Sequence, residues 1–364
     1  MKSKTTEVDP MKTEWSQLQT FFVAHPVFEK VTAEIEFVMK LHGTSDEPPC
    51  MQICGTSGIG KSTVRKKLKA KYKVERNARR ITLVSGTEAI ADYVPMVAIQ
   101  MPTKPKVISV GKALLRVLGD PQWYKGTAEE IEYRLHLYVL ACGTKAILLD
   151  DTQRLLDRNG VLTAQEVVDF FKTLYDQTGV IIILLGLPRM KYLVEEDTQF
   201  ERLWDNIIEM NPYDWGQDDA DDDGAEPESR LQFLGVLVAF VAECPVPFSD
   251  EVDVTNRDIA KRFYYSSRGV TGRLKKFLAM VMRLVMQSRK NCIDFEVLRE
   301  AFDLAFRKDK AREKLINPWG SEWKGQLPPP LQEDGLSASR IRAMRRGRKV
   351  ERNRAVVAGL AKAR

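Results

Sequence analysis

The chain has 364 residues, 44% hydrophobic and 29% charged, with a formal net charge of +6. That composition suits a globular protein with room for one large domain or two ordinary ones, and it excludes a disordered or fibrous chain. No apolar run reaches the roughly 18 residues of a membrane helix, the opening MKSKTTEVDP has no apolar signal segment, and five scattered cysteines show no metal-ligand spacing, so a reduced, cytoplasmic protein is expected.

The first elements read as helix, break, strand. Phe21–Phe22, Val27–Phe28, Val31, Ile35 and Val38–Met39 form an amphipathic helical stripe, and Ser45–Pro49 interrupts it. Residues 1–47 are therefore an N-terminal helical segment. Cys50–Cys54 is a short buried-strand candidate, and the helix from Lys61 to about Lys73 is basic on its outside.

Strand-like runs then alternate with helices. Ile81–Val84 and Met96–Met101 read as strands, Val107–Leu118 and Ala128–Ala141 as helices, the second opened by a capping box of Thr127 with Glu130. Ala146–Leu149 is a strand ending in two aspartates. Ala164–Asp176 is a helix opened by Thr163 with Glu166, Val180–Leu185 the most strand-like run, and Ile207–Met210 a weaker one. This alternation predicts an α/β domain over 48–213 with a mainly parallel sheet flanked by helices.

Asp214–Glu228 carries eight acids and no base and reads as a solvated linker over 214–228. Apolar positions at helical spacing, such as Leu274, Phe277, Leu278, Val281 and Val285, then predict a small all-helical domain over 229–310. Residues 311–364 read as a Pro/Trp linker and a basic tail. Within it, 337–364 hold ten Lys/Arg and one acid, a net +9, so the rest of the chain sums to −3 against the total of +6. Such a tail suits contact with nucleic acid or an acidic partner.

Chemistry is concentrated in one loop. Gly55-Thr56-Ser57-Gly58-Ile59-Gly60-Lys61-Ser62 satisfies G-x-x-x-x-G-K-[ST] between a strand and a helix, and Thr63 continues it. Glycines let successive backbone N–H groups turn inward onto the phosphates of ATP. Lys61 reaches the β- and γ-phosphates, and the Ser62 hydroxyl binds Mg²⁺. About ninety residues on, Asp150 at the end of an apolar strand suits the carboxylate that holds Mg²⁺, and Asp151 the group that orients the attacking water. His25, His42 and His136 lack partners at useful spacing and read as packing residues.

Beyond the P-loop, the chain resembles the TniB/TnsC-type AAA+ regulators of DNA transposition. The resemblance rests on His25-Pro26, Pro102-Thr-Lys-Pro105, Leu115-Arg-Val-Leu-Gly119, LLDD ending at Asp151, LLGLP at 184–188, Gln199-Phe-Glu-Arg202-Leu and Ser267-Arg268-Gly269-Val-Thr-Gly272-Arg273. It implies an AAA+ core with a helical lid, ATP at subunit interfaces, and ATP-dependent rings or helical filaments on double-stranded DNA that pass a target site from a selector protein to a transposase. It places Arg202 as an arginine finger and Arg273 as the lid's sensor, with Arg268 as the alternative. Lys104 and Lys106, with Lys112 as a third candidate, fall where this class lines its DNA channel, and contact should be to phosphates. The sequence departs from the family in two places. Asp151 stands where Glu is usual and Leu187 where a polar group is frequent, which implies secure ATP binding and slow turnover. Two other readings of the residues are an initiator- or repair-type DNA ATPase and a scaffold that binds ATP without hydrolysing it.

Overall fold

Five of the apolar runs form one parallel sheet: β1 (Met51–Gly55), β4 (Met96–Gln100), β5 (Ala146–Asp150), β6 (Ile181–Gly186) and β7 (Asn206–Met210), in the spatial order β4-β5-β6-β1-β7. The structure is a computed structural model and describes residues 23–44, 49–82, 86–158, 161–190, 204, 206–216 and 227–331. Gln100 pairs with Asp150, Leu149 with Leu184, Cys54 with Gly186 and Gly55 with Met210, so all five strands end along one edge. The strand carrying Asp150 is separated from the P-loop strand by β6 alone.

Both faces of the sheet are covered, as its continuous apolar strands require. Val97, Ile99, Ile147, Leu149, Ile182 and Leu184 join one core cluster with residues of α3 (Val107–Leu118), α4 (Ala128–Ala141) and α6 (Val161–Thr178). The strand residues of opposite parity, Ala98, Leu148, Ile183 and Ile53, are buried as well. The capping box predicted for α4 is present: Glu130 N–H donates to Thr127 Oγ1 at 3.3 Å, and Thr127 N–H donates to Glu130 Oε2 at 2.9 Å. The second box does not start its helix, because α6 begins at Val161 and Thr163 lies inside the first turn. Cys50 is buried beneath the sheet end, and burial pushes its thiol up to about 12, against a weaker opposing hydrogen bond from Ile182 N–H. No helix among the described residues is long and apolar enough to cross a membrane.

Of the strand foreseen at Ile81–Val84, Ile81 and Thr82 belong elsewhere, and Leu83 and Val84 lie outside the described residues. β2 (Glu75–Thr82) and β3 (Glu88–Tyr93) form a separate antiparallel hairpin outside the parallel sheet. Glu75-Arg-Asn-Ala-Arg-Arg80 has no apolar alternation to announce a strand, so its pairing follows from the adjacent β3, and Arg76 joins Asp92 across it.

By their contacts the described residues form two units: one of 30–57 and 61–210, the other of 23–29, 58–60 and 211–331. The second is helical, with α7 (Glu228–Ala242), α8 (Arg257–Ser267), α9 (Thr271–Ser288), α10 (Phe295–Ala305) and α11 (Arg307–Glu313). Its aromatic core takes in residues the sequence reading left in linkers. Trp215, from the start of the acidic run, is fully buried with Arg230 stacked over its indole at 5.1 Å. Trp319 stacks on Phe277 at 6.0 Å, and Trp323 is buried beside Arg262. Spacing alone does not show an isolated tryptophan's burial, since its large apolar area decides only once a cavity exists. The helix α1 (Pro26–Leu41), the short α2 (Lys61–Lys71) and α5 (Arg154–Arg158) and a 3₁₀ turn at Pro188–Met190 complete the described elements.

Candidate nucleotide site

The edge where the strands end carries the chemistry, as parallel sheets generally arrange it. β1 is buried throughout, and the chain turns out of it through Gly58 and Gly60, at φ 84° and 116°, into α2. Those torsions are open to glycine and strained for other residues, which explains the glycine spacing. Lys61, the first residue of α2, is 7% exposed. Its Nζ donates to the carbonyls of Gly55 at 2.5 Å and Thr56 at 2.7 Å, folding the ammonium over the loop. Ser57 and Ser62 are exposed, Thr63 half-buried and Ile59 buried as the loop's anchor.

Asp150 is 1% exposed at the end of β5. Its Oδ2 pairs with Arg65 Nε at 3.0 Å, and its Oδ1 accepts the Asp151 N–H at 2.9 Å. Arg65 lies one turn beyond Lys61 on α2. The sequence reading missed it, although the i, i+4 spacing from Lys61 was the available signal.

Asp151 leaves the strand with φ 59°, a left-handed conformation that aspartate tolerates better than most residues. Gln100 Nε2 donates to its Oδ2 at 2.7 Å, Gln153 Nε2 to its Oδ1 at 3.1 Å, and Arg154 Nη2 lies 2.9 Å from Oδ2. Burial works to raise this carboxyl. The hydrogen bonds from Gln100 and Gln153 and the charges of Arg154 and Lys61 outweigh it and hold the group below the usual carboxylate range. Gln100 was also missed; the signal was a polar residue closing an otherwise apolar strand. Leu187 is half-exposed at the end of β6 and brings no polar group, while Thr152 spends its hydroxyl on the Leu185 carbonyl at 2.9 Å.

These residues fit a nucleotide with its metal. The loop offers a backbone cradle, Thr56 Oγ1 is buried in it without a hydrogen-bond partner, and the hydroxyl of Ser62 with the carboxylate of Asp150 is the all-oxygen donor set Mg²⁺ favours.

Within the helical unit, the loop tip Gly58–Gly60 meets the start of α9. Gly272 N–H donates to the Gly58 carbonyl at 3.0 Å, and a Cβ on Gly272 would lie 2.4 Å from that oxygen. Arg273 pairs with Asp309 at 2.9 Å and lies 4.7 Å over Phe306. Arg268, at φ 53°, is 4% exposed and paired with Glu313. Both arginines considered for the sensor are thus bound to α11 or its flank.

Lys104 and Lys106 are exposed together at the entry to α3, where Ser109 Oγ receives the Lys106 N–H at 2.9 Å. Lys112 is half-buried further along that helix. Arg202 and the basic tail 337–364 lie outside the described residues.

Residues 15–208, more than half of the chain, match the family described as Bacterial TniB protein. Among solved structures, the fold is similar to the Aeropyrum pernix ORC1 protein in complex with DNA, at TM-score 0.56 and 14% identity over 83% of this chain and 72% of that one. It is also similar to the Aeropyrum pernix ORC2 protein in its ADPNP–ADP complexes, at TM-score 0.52 and 15% identity over 79% and 71%. At such identities the likeness is one of fold, and that fold is the AAA+ ATPase fold. No curated protein sequence matches the chain.

Proposed function

The chain belongs to the TniB family, and on that premise we propose that it is an ATP-dependent regulator of DNA transposition that oligomerises on double-stranded target DNA and recruits or activates a transposase there. The observation that carries the reading is the gathering of Lys61, Ser62, Asp150 and Asp151 at one sheet edge in a chain of this family. Bound MgATP would supply the transferable phosphoryl group and the metal's charge. Around it, residues Gly55–Thr63 hold the phosphates with backbone N–H groups, and Lys61 turns from the carbonyls of Gly55 and Thr56 to the β- and γ-oxygens. Ser62 and Asp150, the latter paired with Arg65, are the side chains that would hold the metal. Asp151 orients the attacking water, and its short side chain together with Leu187 keeps hydrolysis slow. Arg202 completes a neighbour's site as an arginine finger and Arg273 reads the nucleotide from the lid. Lys104, Lys106 and Lys112 grip DNA phosphates without sequence preference.

Electron microscopy with duplex DNA and a slowly hydrolysed ATP analogue tests this directly. Ordered assemblies on DNA are expected only with nucleotide, and none from Lys61→Ala, which loses the phosphates' main cationic partner. Nucleotide binding without any DNA assembly would overturn the reading in favour of a scaffold. Assemblies that leave a reconstituted transposition reaction unchanged would favour an initiator- or repair-type role.

A further inference from the structure

The loop joining α3 to α4 carries two adjacent aromatic side chains set between cations. Arg116, exposed in the last turn of α3, lies 5.2 Å over the Trp123 ring. Trp123 meets Tyr124 edge to face at 5.8 Å, and Lys125 Nζ stands 5.4 Å over the Tyr124 ring. Trp123 packs against the core and anchors the row, whereas Tyr124 is 53% exposed. The loop beneath them is pinned. Gly119 turns out of α3 at φ 88°, and Asp120, which is buried, accepts the Gln122 N–H at 2.8 Å. Arg134 of α4 pairs with Asp120 at 3.1 Å and donates to the carbonyls of Gln122 at 3.1 Å and Lys125 at 2.6 Å. An aromatic face held out to solvent by a fixed backbone loses little entropy when a ligand lands on it.

The charge around this row has one sign. Residues 104–126 hold Lys104, Lys106, Lys112, Arg116 and Lys125 against a single acid, Asp120, which is taken up by Arg134. The next acids, Glu129 and Glu130, are engaged by Thr127 at the start of α4. A ligand with flat faces joined by negative charges satisfies both the rings and the cations, and a single strand of nucleic acid is such a ligand. Its bases stack on aromatic rings whatever their sequence, and its phosphates take the cations. Paired duplex offers the same phosphates, but its bases are stacked on one another and closed to Tyr124.

We infer that Tyr124, backed by Trp123, is a stacking platform for an unpaired DNA base, and that Arg116 and Lys125 hold the phosphates beside that base. The choice of DNA as the strand rests on the reading above, in which Lys104, Lys106 and Lys112 of the same segment meet DNA phosphates. The platform goes beyond that reading, because it lets the protein tell opened DNA from closed duplex, which phosphate contacts alone do not.

Fluorescence anisotropy of the full-length protein with labelled strands of about 12 nucleotides, within the site size of such platforms, tests the assignment. Oligo(dT) is compared with an abasic strand of equal length, which keeps every phosphate and lacks every base. The protein is expected to bind oligo(dT) about five- to hundredfold more tightly, the worth of one stacked base. Tyr124→Ala should abolish the preference and Tyr124→Phe keep it, both with the melting temperature unchanged, since the side chain is exposed. Equal affinity for the two strands, or a preference that survives Tyr124→Ala, would overturn the platform. Duplex DNA in the same assay keeps the two readings apart. ATP-dependent assembly on duplex without a preference for oligo(dT) sinks this site alone, whereas that preference without assembly on duplex upholds it and sinks the earlier reading.

Discussion

Arg65 Nε lies 3.0 Å from Asp150 Oδ2, and Asp150 is 1% exposed. The carboxylate assigned to the metal is therefore held by a cation that sits one helical turn beyond Lys61. If Asp150 holds the metal as proposed, Arg65 would stand in for the metal's charge in the nucleotide-free protein. Arg65→Ala leaves a buried carboxylate unpaired and should destabilise the nucleotide-free protein by about 1–3 kcal/mol. Mg²⁺ with ATP should then raise the melting temperature of the variant more than that of the parent, since no arginine has to be displaced. Equal ligand-induced shifts would show that Asp150 does not meet the metal.

Asp151 is the water-orienting candidate, held by Gln100, Gln153 and Arg154. Asp151→Asn should lower turnover by about 10²–10⁴. Asp151→Glu, which restores a methylene, should raise it, and a rate left unchanged would point to Leu187 as the limiting feature.

The depressed pKa of Asp151 also gives a signed pH effect. Its stabilising contribution is present above the unfolded value of about 3.9 and is lost as the pH falls through the lower folded value. Gln100→Leu removes one of the hydrogen bonds that depress it. The melting-temperature gap between parent and Gln100→Leu should therefore be widest near neutral pH and shrink below about pH 4. A gap independent of pH would mean the bond does not bear on ionisation.

Lys104 and Lys106 are both exposed, so Lys104→Ala with Lys106→Ala should leave the melting temperature alone. If each meets one phosphate, the double variant flattens the log–log salt dependence of duplex binding by about 1.8. An unaltered slope would move the DNA contact elsewhere. Lys112→Ala, half-buried on α3, should flatten the slope by about a further 0.9 if that lysine also meets a phosphate.

Gly272→Ala would bring a methyl within 2.4 Å of the Gly58 carbonyl, a backbone atom that cannot swing away as a side chain can. ATP affinity should fall by tenfold or more, about 1.4 kcal/mol, because the loop tip must shift. Gly235→Ala, in the middle of α7 with nothing within 4 Å of the added carbon, should leave ATP affinity unchanged and stabilise the protein by about 1 kcal/mol.

The P-loop, the pair of aspartates and the α/β alternation were legible without coordinates, because each is written locally. Glycines at Gly58 and Gly60 mark torsions, apolar runs such as Ile181–Gly186 mark buried strands, and Thr127 with Glu130 marks a helix start. The β2–β3 hairpin, with its charged strand, and the burial of Trp215, Trp319 and Trp323 were not legible, since neither follows from the periodicity of the segment itself.

What the sequence alone determined is thus the inventory: a loop able to cradle phosphates, a carboxylate at a strand end, an acidic run and a basic tail. What only the tertiary structure decided is who meets whom. Arg65 reaches Asp150 across 85 residues of sequence, and Gln100 reaches Asp151 across 51. Those meetings depend on strand order and register, with β5 set beside β4 and one strand away from β1. Register is a property of the whole buried sheet, fixed by the burial of both faces together, so no local segment of the chain encodes it.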